Sequence, residues 1–293
     1  MPTLAPVSRL SLKNILLPTD FSAASRAAWP FARTLARIYG STILFAHCLA
    51  PEPHLQVVMD RVPEQDDYAR QGAHWKLDAL ANEAALGDVP AKTLLDTGDV
   101  AVTIPTIIRE NDIDLVVVGT QGRRGVGKLI MGSSAEKIYR SATCPVMTVG
   151  PKVRPPAEWK LRRILCPVDL AEDPQPVLQY ALALAEESQA ELIVLDAIPM
   201  VPWQYRASED QRSRRALASL IPEQANDWCK PEIVVRWENP ADAILGVAQD
   251  READLIVMSV HKSRAASWQA HMPWPVASEV VSRAPCPVVT IRV

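Results

Sequence analysis

The sequence predicts an α/β protein made of two tandem domains, each a doubly wound parallel sheet, and three observations support this prediction. The chain has 293 residues, about twice the ~150 residues expected of one domain. Its second half repeats its first half at four collinear places. Within each half, short apolar runs alternate with segments whose apolar residues recur every three or four positions, which is typical of alternating strands and helices.

The internal repeat rests on four pairs of similar segments. They are 13–21 with 162–170, 41–47 with 190–196, 114–119 with 254–259, and 144–149 with 286–291. A repeat of this length indicates two copies of a domain rather than a solenoid unit. We therefore expect domains at 1–150 and 158–293, joined by a linker at 150–156 that three prolines stiffen.

The elements of the first half follow one another in the order of a doubly wound sheet. Apolar residues recur at helical spacing in 24–39, 68–86 and 100–108. The intervening strand runs are apolar throughout, as expected of strands buried on both faces. Ligands of such sheets bind at the carboxyl ends of the strands. The corner at 18–20 and the stretch after Val118 both follow strand ends, so they are the candidate site.

Composition and charge exclude several classes of partner. Lys and Arg number 31 against 34 Asp and Glu, so the net charge of −3 predicts neither a nucleic-acid partner nor an anionic membrane. The apolar runs are far shorter than the ~20 residues that span a bilayer, and no signal peptide is recognisable. Five scattered cysteines without a Cys-x-x-Cys pair indicate reduced thiols. We expect a cytoplasmic protein.

A glycine-rich stretch follows the fourth strand run. The pattern is Gly-x-x-Gly from Gly119 to Gly122, then nine residues, then Gly132-Ser133. Glycine lets the backbone approach a ligand closely, and a helix opening at Ser133 and Ser134 would present free N–H groups to an anion. Ser133 with Glu136 matches a capping box. Four nearby cations could neutralise phosphates, namely Arg123, Arg124, Lys128 and Lys137. The stretch predicts a phosphate site.

This pattern resembles the nucleotide loop of the ATP-binding branch of the universal stress protein family. The segments 15–20, 44–47 and 144–146 are similar to the same family, so the resemblance covers nearly the whole chain as two domains. It implies five strands per domain in the order 3-2-1-4-5, an adenine nucleotide alpha hydrolase-like fold, and ATP or ADP as ligand, with Mg²⁺ held through Asp20. The binding residues that it implies are Pro18, Thr19, Asp20, Cys48, Val118, Gly119, Gly122, Arg123, Gly132, Ser133 and Ser134.

Several of these residues also have a simpler structural interpretation. Asp20 could only cap a helix starting near Ser22, and Arg123 with Arg124 could be a solvated loop. His47 is better explained as a packed strand-end histidine than as a ligand, because a single histidine makes no metal site.

The second half has lost the glycine pattern. Ser259-Val260-His261-Lys262 replaces the first glycines, Trp274-Pro275-Val276 replaces Gly132-Ser133-Ser134, and no glycine lies between Ser259 and Val276. Proline also removes a backbone donor. We expect no phosphate site there. An alternative is a pocket for another ligand, lined by His261, Trp268, His271 and Trp274.

The leading functional hypothesis is a nucleotide-binding regulatory protein of the stress response. The alternatives are a slow ATPase, with turnover below the ~1 s⁻¹ of ordinary enzymes, and a nucleotide-free scaffold with another ligand in the second domain. The two copies should form an intramolecular pair through their final strands, 145–149 and 287–293, because an apolar edge strand needs covering. A further homodimer is compatible with this arrangement.

Overall fold

The computed structural model describes residues 10–50, 64–120, 132–198, 203–260 and 273–293. In the first domain the strands are β1 (Asn14–Pro18), β2 (Thr42–Leu49), β3 (Ala91–Thr97), β4 (Leu115–Gly119) and β5 (Val146–Val149). The helices are α1 (Ala23–Ala27), α2 (Trp29–Tyr39), α3 (Glu64–Leu86), α4 (Val100–Glu110) and α5 (Ser133–Ser141).

The second domain repeats this series of elements. Its strands are β6 (Arg163–Val168), β7 (Glu191–Ala197), β8 (Glu232–Arg236), β9 (Leu255–Val260) and β10 (Val288–Arg292). Its helices are α6 (Gln175–Ser188), α7 (Trp203–Leu220), α8 (Ala225–Trp228), α9 (Pro240–Asp250) and α10 (Pro273–Arg283).

All ten strands form one sheet, in the order β3-β2-β1-β4-β5-β10-β9-β6-β7-β8. From either outer edge inward, each domain has the order 3-2-1-4-5, and all strand pairs within a domain are parallel. The predicted fold class is confirmed. The winding reverses between β1 and β4, which is where a ligand crevice opens in such sheets.

Two layers of helices cover the sheet. Apolar residues of α2, α3, α6 and α7 pack on one face, and those of α4, α5, α9 and α10 pack on the other. The strands therefore have buried side chains on both faces, which explains their uninterrupted apolar runs.

The predicted helix at 24–39 is divided into α1 and α2. Ala28 ends α1, and Pro30 occupies the first turn of α2, where its missing N–H has no cost. The other two predicted helices of the first half correspond to α3 and α4.

An antiparallel seam joins the domains. Strand β5 pairs with β10, with Met147 opposite Val289 at the centre, as the sequence predicts. On the two sides of this strand pair, positions that correspond in the two domains contact corresponding helices, α5 on one side and α10 on the other. Arg292 donates to the Tyr139 carbonyl at 2.6 Å, and a Cβ at Gly150 would lie 2.3 Å from the Val281 carbonyl oxygen.

The segment directly after the linker, residues 157–159, is docked on the first domain. Trp159 is buried and packs edge-on against Phe31, with ring centroids 5.1 Å apart. Arg33 donates to the Ala157 carbonyl at 2.7 Å, and Thr34 donates to the Trp159 carbonyl at 3.2 Å. Helix α2 therefore holds this segment, and with it the end of the linker, against the first domain.

Candidate nucleotide site at the switch point

The candidate site lies at the carboxyl edge between β1 and β4. Leu16 pairs with Val116, and continuing this register places Pro18 beside Val118. Alternate residues of a strand share a face, so Pro18 and Val118 lie on the face covered by α4 and α5, where Cys48 also packs. The structure therefore brings these three predicted residues together.

The corner after β1 is held by short local hydrogen bonds. The Phe21 amide donates to Thr19 Oγ1 at 2.9 Å, and the Ser25 hydroxyl lies 3.1 Å from the same oxygen. Ser22 accepts from the Ser25 amide at 3.2 Å and is the N-cap of α1. These bonds fix the path of the chain from the strand into the helix.

Packing on the corner supports its backbone conformation. Phe21 has a φ of 61°, in the left-handed region that non-glycine residues seldom adopt. Its ring packs on His47 with centroids 4.5 Å apart, and the Lys76 ammonium lies 5.2 Å from its centroid. His47 Nδ1 donates to the Thr19 carbonyl at 2.7 Å. His47 is thus a packed strand-end histidine, as the sequence predicts.

Asp20 makes an Asx turn before α1. Its Oδ1 accepts from the Ser22 amide at 3.0 Å, so Asp20 stabilises the corner while Ser22 caps the helix. Burial raises the pKa of Asp20, but hydrogen bonds with Ser22 and Ser25 outweigh it and leave that pKa below its usual value. The carboxyl is exposed at the strand end and ionised at neutral pH.

The side chain of Thr19 lies on the opposite face of the sheet. Together with Leu17, Trp29 and Phe45 it lines a cavity of about 420 Å³. Its amide donates to the Ala46 carbonyl at 2.8 Å. Thr19 therefore shapes the corner, and its predicted contact with a nucleotide stays a prediction.

Gly119 is required by the packing of the first domain itself. A Cβ at this position would lie 1.9 Å from the carbonyl oxygen of Ala24, far inside contact distance. Strand β4 and helix α1 approach this closely only because residue 119 has no side chain.

Gly132 has no such structural role among the described residues. It is the N-cap of α5, its φ of −56° is an ordinary value for any residue, and glycine has no side chain with which to accept from the first amides of the helix. A Cβ there would have nothing within 4 Å. Ser133 and Ser134 open the helix, as predicted, and both are exposed. Because the N-cap is Gly132, the capping box is wrong, and Glu136 instead pairs with Arg140 at 2.9 Å.

Lys137 is held by a carboxylate of the protein. Its Nζ lies 2.6 Å from Asp99 Oδ2, while Asp99 Oδ1 caps α4 by accepting from the Ala101 amide. The hydrogen bond from Lys137 is the main reason that the pKa of Asp99 is lowered. Asp99 was not predicted from the sequence, although an aspartate directly before a helix is the usual N-cap pattern.

Cys48 and Val118 lie on the same face of the sheet, on strands either side of β1. Val118 is 4% exposed, and Cys48 is half-buried opposite Asp96 of β3. Burial, followed by the charge of Asp96, raises the pKa of Cys48 to about 11. The thiol is therefore neutral at physiological pH and behaves as a small apolar group. Gly122, Arg123, Arg124 and Lys128 lie outside the described residues.

The equivalent edge of the second domain is built differently. Asp169 keeps the Asx turn, accepting from the Ala171 amide at 2.9 Å. Helix α10, however, begins with prolines at two of its first three positions, Pro273 and Pro275, and these supply no N–H. His261, Trp268 and His271, with the side chain of Trp274, lie outside what the structure describes.

A buried carboxyl takes the place of His47 in the second domain. Asp196 is 8% exposed and accepts from the Ser213 hydroxyl at 2.6 Å. Burial raises its pKa, and the nearby charge of Asp169 adds to this. The two strand ends thus differ in charge as well as in backbone donors.

The described residues provide neither a metal-binding cluster nor a membrane-spanning helix. No cluster of three or more His, Cys, Asp or Glu side chains is placed to hold a metal ion within the described ranges. No helix in the described part of the chain combines the length and the apolar character needed to cross a bilayer.

The fold and the candidate site define a tandem, doubly wound α/β protein whose first domain has its switch point between β1 and β4. The sequence model of the universal stress protein family matches residues 11–150 and 160–292. The chain therefore belongs to the universal stress protein family.

Individual relatives agree with this assignment. A universal stress protein of Thermus aquaticus is 31% identical over 144 residues, which cover 47% of this chain and 98% of that protein. One from Mycolicibacterium smegmatis is 24% identical over 301 residues, covering 95% and 97% of the two chains. The crystal structure of a universal stress protein from Archaeoglobus fulgidus has the same fold, with a TM-score of 0.71, 18% identity, and coverage of 95% and 98%.

Proposed function

We propose that the first domain binds one adenine nucleotide, ATP or ADP, in the crevice between β1 and β4. In this proposal the protein is a nucleotide-binding regulator of the stress response. The second domain serves as a structural partner without a phosphate site. Nucleotide occupancy then sets the conformation or the partner binding of the tandem unit.

The contrast between two glycines carries this proposal. Gly119 is explained by the approach of α1, whereas no described atom requires glycine at 132. A glycine that the protein does not need for its own packing, at the uncapped start of a helix, is suited to the close approach of a phosphate. A carbonyl or carboxylate cap would have competed with an anion at this position.

The residues divide between the two ends of a nucleotide. Pro18, Cys48 and Val118 would contact the base with apolar surface. Asp20, ionised and exposed, would accept from ribose hydroxyls or coordinate Mg²⁺, since hard oxygen ligands suit that ion. Gly119, Gly132, Ser133 and Ser134 would contact ribose and phosphates. Gly122 and Arg123 remain predictions from the sequence for the same end.

The described groups favour binding over turnover. Backbone N–H groups and a helix dipole hold phosphates in the ground state and in the transition state alike, and uniform binding does not raise the turnover rate. We therefore expect hydrolysis well below ~1 s⁻¹. Single-turnover assays with labelled ATP test this, and rapid phosphate release that Asp20→Asn abolishes would contradict it.

Calorimetric titration of the full chain with ATP tests the binding proposal. We expect one site per chain, and Gly132→Val should weaken binding at least tenfold, because a branched side chain would occupy the phosphate path. Gly246→Val is the matched control, since Gly246 on α9 also has nothing within 4 Å of its Cβ position. Two equivalent sites, or normal ATP binding by Gly132→Val, would overturn the proposal.

A further inference from the structure

The outer face of α3 has a stripe of exposed apolar residues along nearly its whole length, interrupted by Asn82. Tyr68, Trp75 and Leu86 are 69%, 73% and 89% exposed. They are separated by 7 and 11 residues, which are about two and three helical turns, so they lie on one line. Ala79, also exposed, lies on the same line one turn after Trp75.

The opposite face of α3 already satisfies the fold. Ala73, Leu77 and Ala84 are at most 5% exposed and pack toward the sheet. A helix that covers one side of a sheet needs a polar outer face. Large apolar residues that line up on that face are typical of an interaction surface.

The second domain shows that the architecture does not require this stripe. Helix α7 occupies the equivalent position over β8, and Tyr205 is its only large apolar residue found exposed, at 54%, among those whose burial is described. Its other exposed residues are mostly polar or charged and include Gln204, Arg206, Gln211, Arg212 and Arg215.

The stripe is complementary to itself in the antiparallel direction. Tyr68 lies nine residues before Leu77 and Leu86 lies nine after it, while Trp75 lies two before and Ala79 two after. Two α3 helices related by a two-fold axis at the level of Leu77 would set Tyr68 of each copy against Leu86 of the other. Each Trp75 would lie over the small Ala79 of the second copy.

We propose that two copies of this chain associate through antiparallel pairing of their α3 helices. The pairing is isologous, since each stripe meets the same stripe, and it therefore closes at a dimer. Tyr68 and Leu86 are about 27 Å apart along the helix. A helix pair of this length is at the low end of specific interfaces, below about 1,200 Å², so the dimer is reversible and depends on concentration.

This surface is separate from both features described above. Helix α3 covers β2 and β3 at the outer end of the sheet, whereas the seam between β5 and β10 lies at its centre. Nucleotide binding is not needed for the pairing, so the dimer can be tested in nucleotide-free protein.

Sedimentation velocity of the full chain over a range of concentrations tests the dimer. We expect Trp75→Glu to raise the dimer dissociation constant at least tenfold, with an unchanged circular dichroism spectrum. The matched control is Val102→Glu, because Val102 on α4 is 70% exposed but lies outside the stripe. A wild-type chain that stays monomeric throughout, or a Trp75→Glu chain that dimerises normally, overturns the proposal.

A mixing experiment tests the antiparallel register. Tyr68→Lys and Leu86→Glu should each weaken self-association. An equimolar mixture of the two variants should recover a heterodimer, because the introduced lysine of one chain then opposes the introduced glutamate of the other. Failure of the mixture to associate more tightly than either variant alone would reject this register and with it the proposed pairing.

Discussion

The first and second domains differ most where their first strands end. In the first, Ser25 lies in α1, and α1 approaches the end of β4 at Gly119. In the second, Pro174 stands at the position of Ser25, helix α6 begins only at Gln175, and Ser259 stands at the position of Gly119. The first domain thus has both the short helix α1 and the glycine, and the second domain has neither. Gly119 therefore serves the packing of α1 on β4.

The helices after the fourth strands differ in a second way. Helix α5 begins at an uncapped glycine followed by two exposed serines, whereas α10 begins with two prolines in its first turn. The first turn of α5 therefore has free backbone N–H groups, whereas the prolines of α10 lack two of the equivalent groups. Substitutions at equivalent positions can separate the packing requirement from the ligand requirement.

The largest difference in the free energy of unfolding is expected between two matched alanine substitutions. Gly119→Ala should lower the free energy of unfolding by about 3 kcal/mol, because the added Cβ meets the Ala24 carbonyl and forces α1 to move. Ser259→Ala adds no atom at the equivalent position and should cost less than about 1 kcal/mol. Urea denaturation of both variants measures the difference, and equal losses would show that Gly119 has no special packing role.

An intermediate effect is expected where the two domains are alike. Asp114 Oδ2 accepts from the amides of Lys13 and Asn14, at 2.7 and 3.0 Å. Asp254 Oδ2 accepts from those of Arg162 and Arg163, at 2.8 and 3.0 Å.

Replacing either aspartate by alanine should therefore cost about 1–3 kcal/mol, since two strand amides lose their acceptor. Asparagine at the same positions keeps one acceptor oxygen and should cost less. Denaturation curves that show a large loss in only one domain would mean that the domains are less equivalent than their hydrogen bonds indicate.

The smallest effect concerns an ion pair in the first domain. Lys137→Met should raise the pKa of Asp99, because the hydrogen bond from Lys137 is the main cause that lowers it. The stabilisation from this pair is present above the unfolded-state pKa of Asp99 and is lost as the pH falls through its lower folded-state pKa. Both side chains are 48% exposed, so the change in stability should be slight. An NMR titration of the Asp99 carboxyl, with Lys92→Met as control, measures the pKa.

The sequence predicts the features that depend on neighbouring residues and on the repeat. Apolar runs located the strands, and the resemblance supplied their order. The seam followed from the need to cover the last strand. The break before Pro30 was missed because the apolar spacing continues through it, although a proline in the first turn is a usual helix start.

The remaining features depend on contacts between distant parts of the chain. That Gly119 faces Ala24, or that Lys137 pairs with Asp99, follows only once the sheet has been assembled. The orientation of Thr19 away from Pro18 and Cys48 follows from strand alternation and could have been derived from the sequence.

The seam between β5 and β10 also explains how the two halves could become different. In a dimer of separate, identical chains every substitution occurs twice, so a loop that is lost in one subunit is lost in both. Once the two copies are joined in one chain, a mutation affects a single side of the pseudo-two-fold axis. The fused pair also forms at any dilution, because its partners never separate. Inheritance as one gene thus permits an asymmetry that a symmetric dimer cannot evolve.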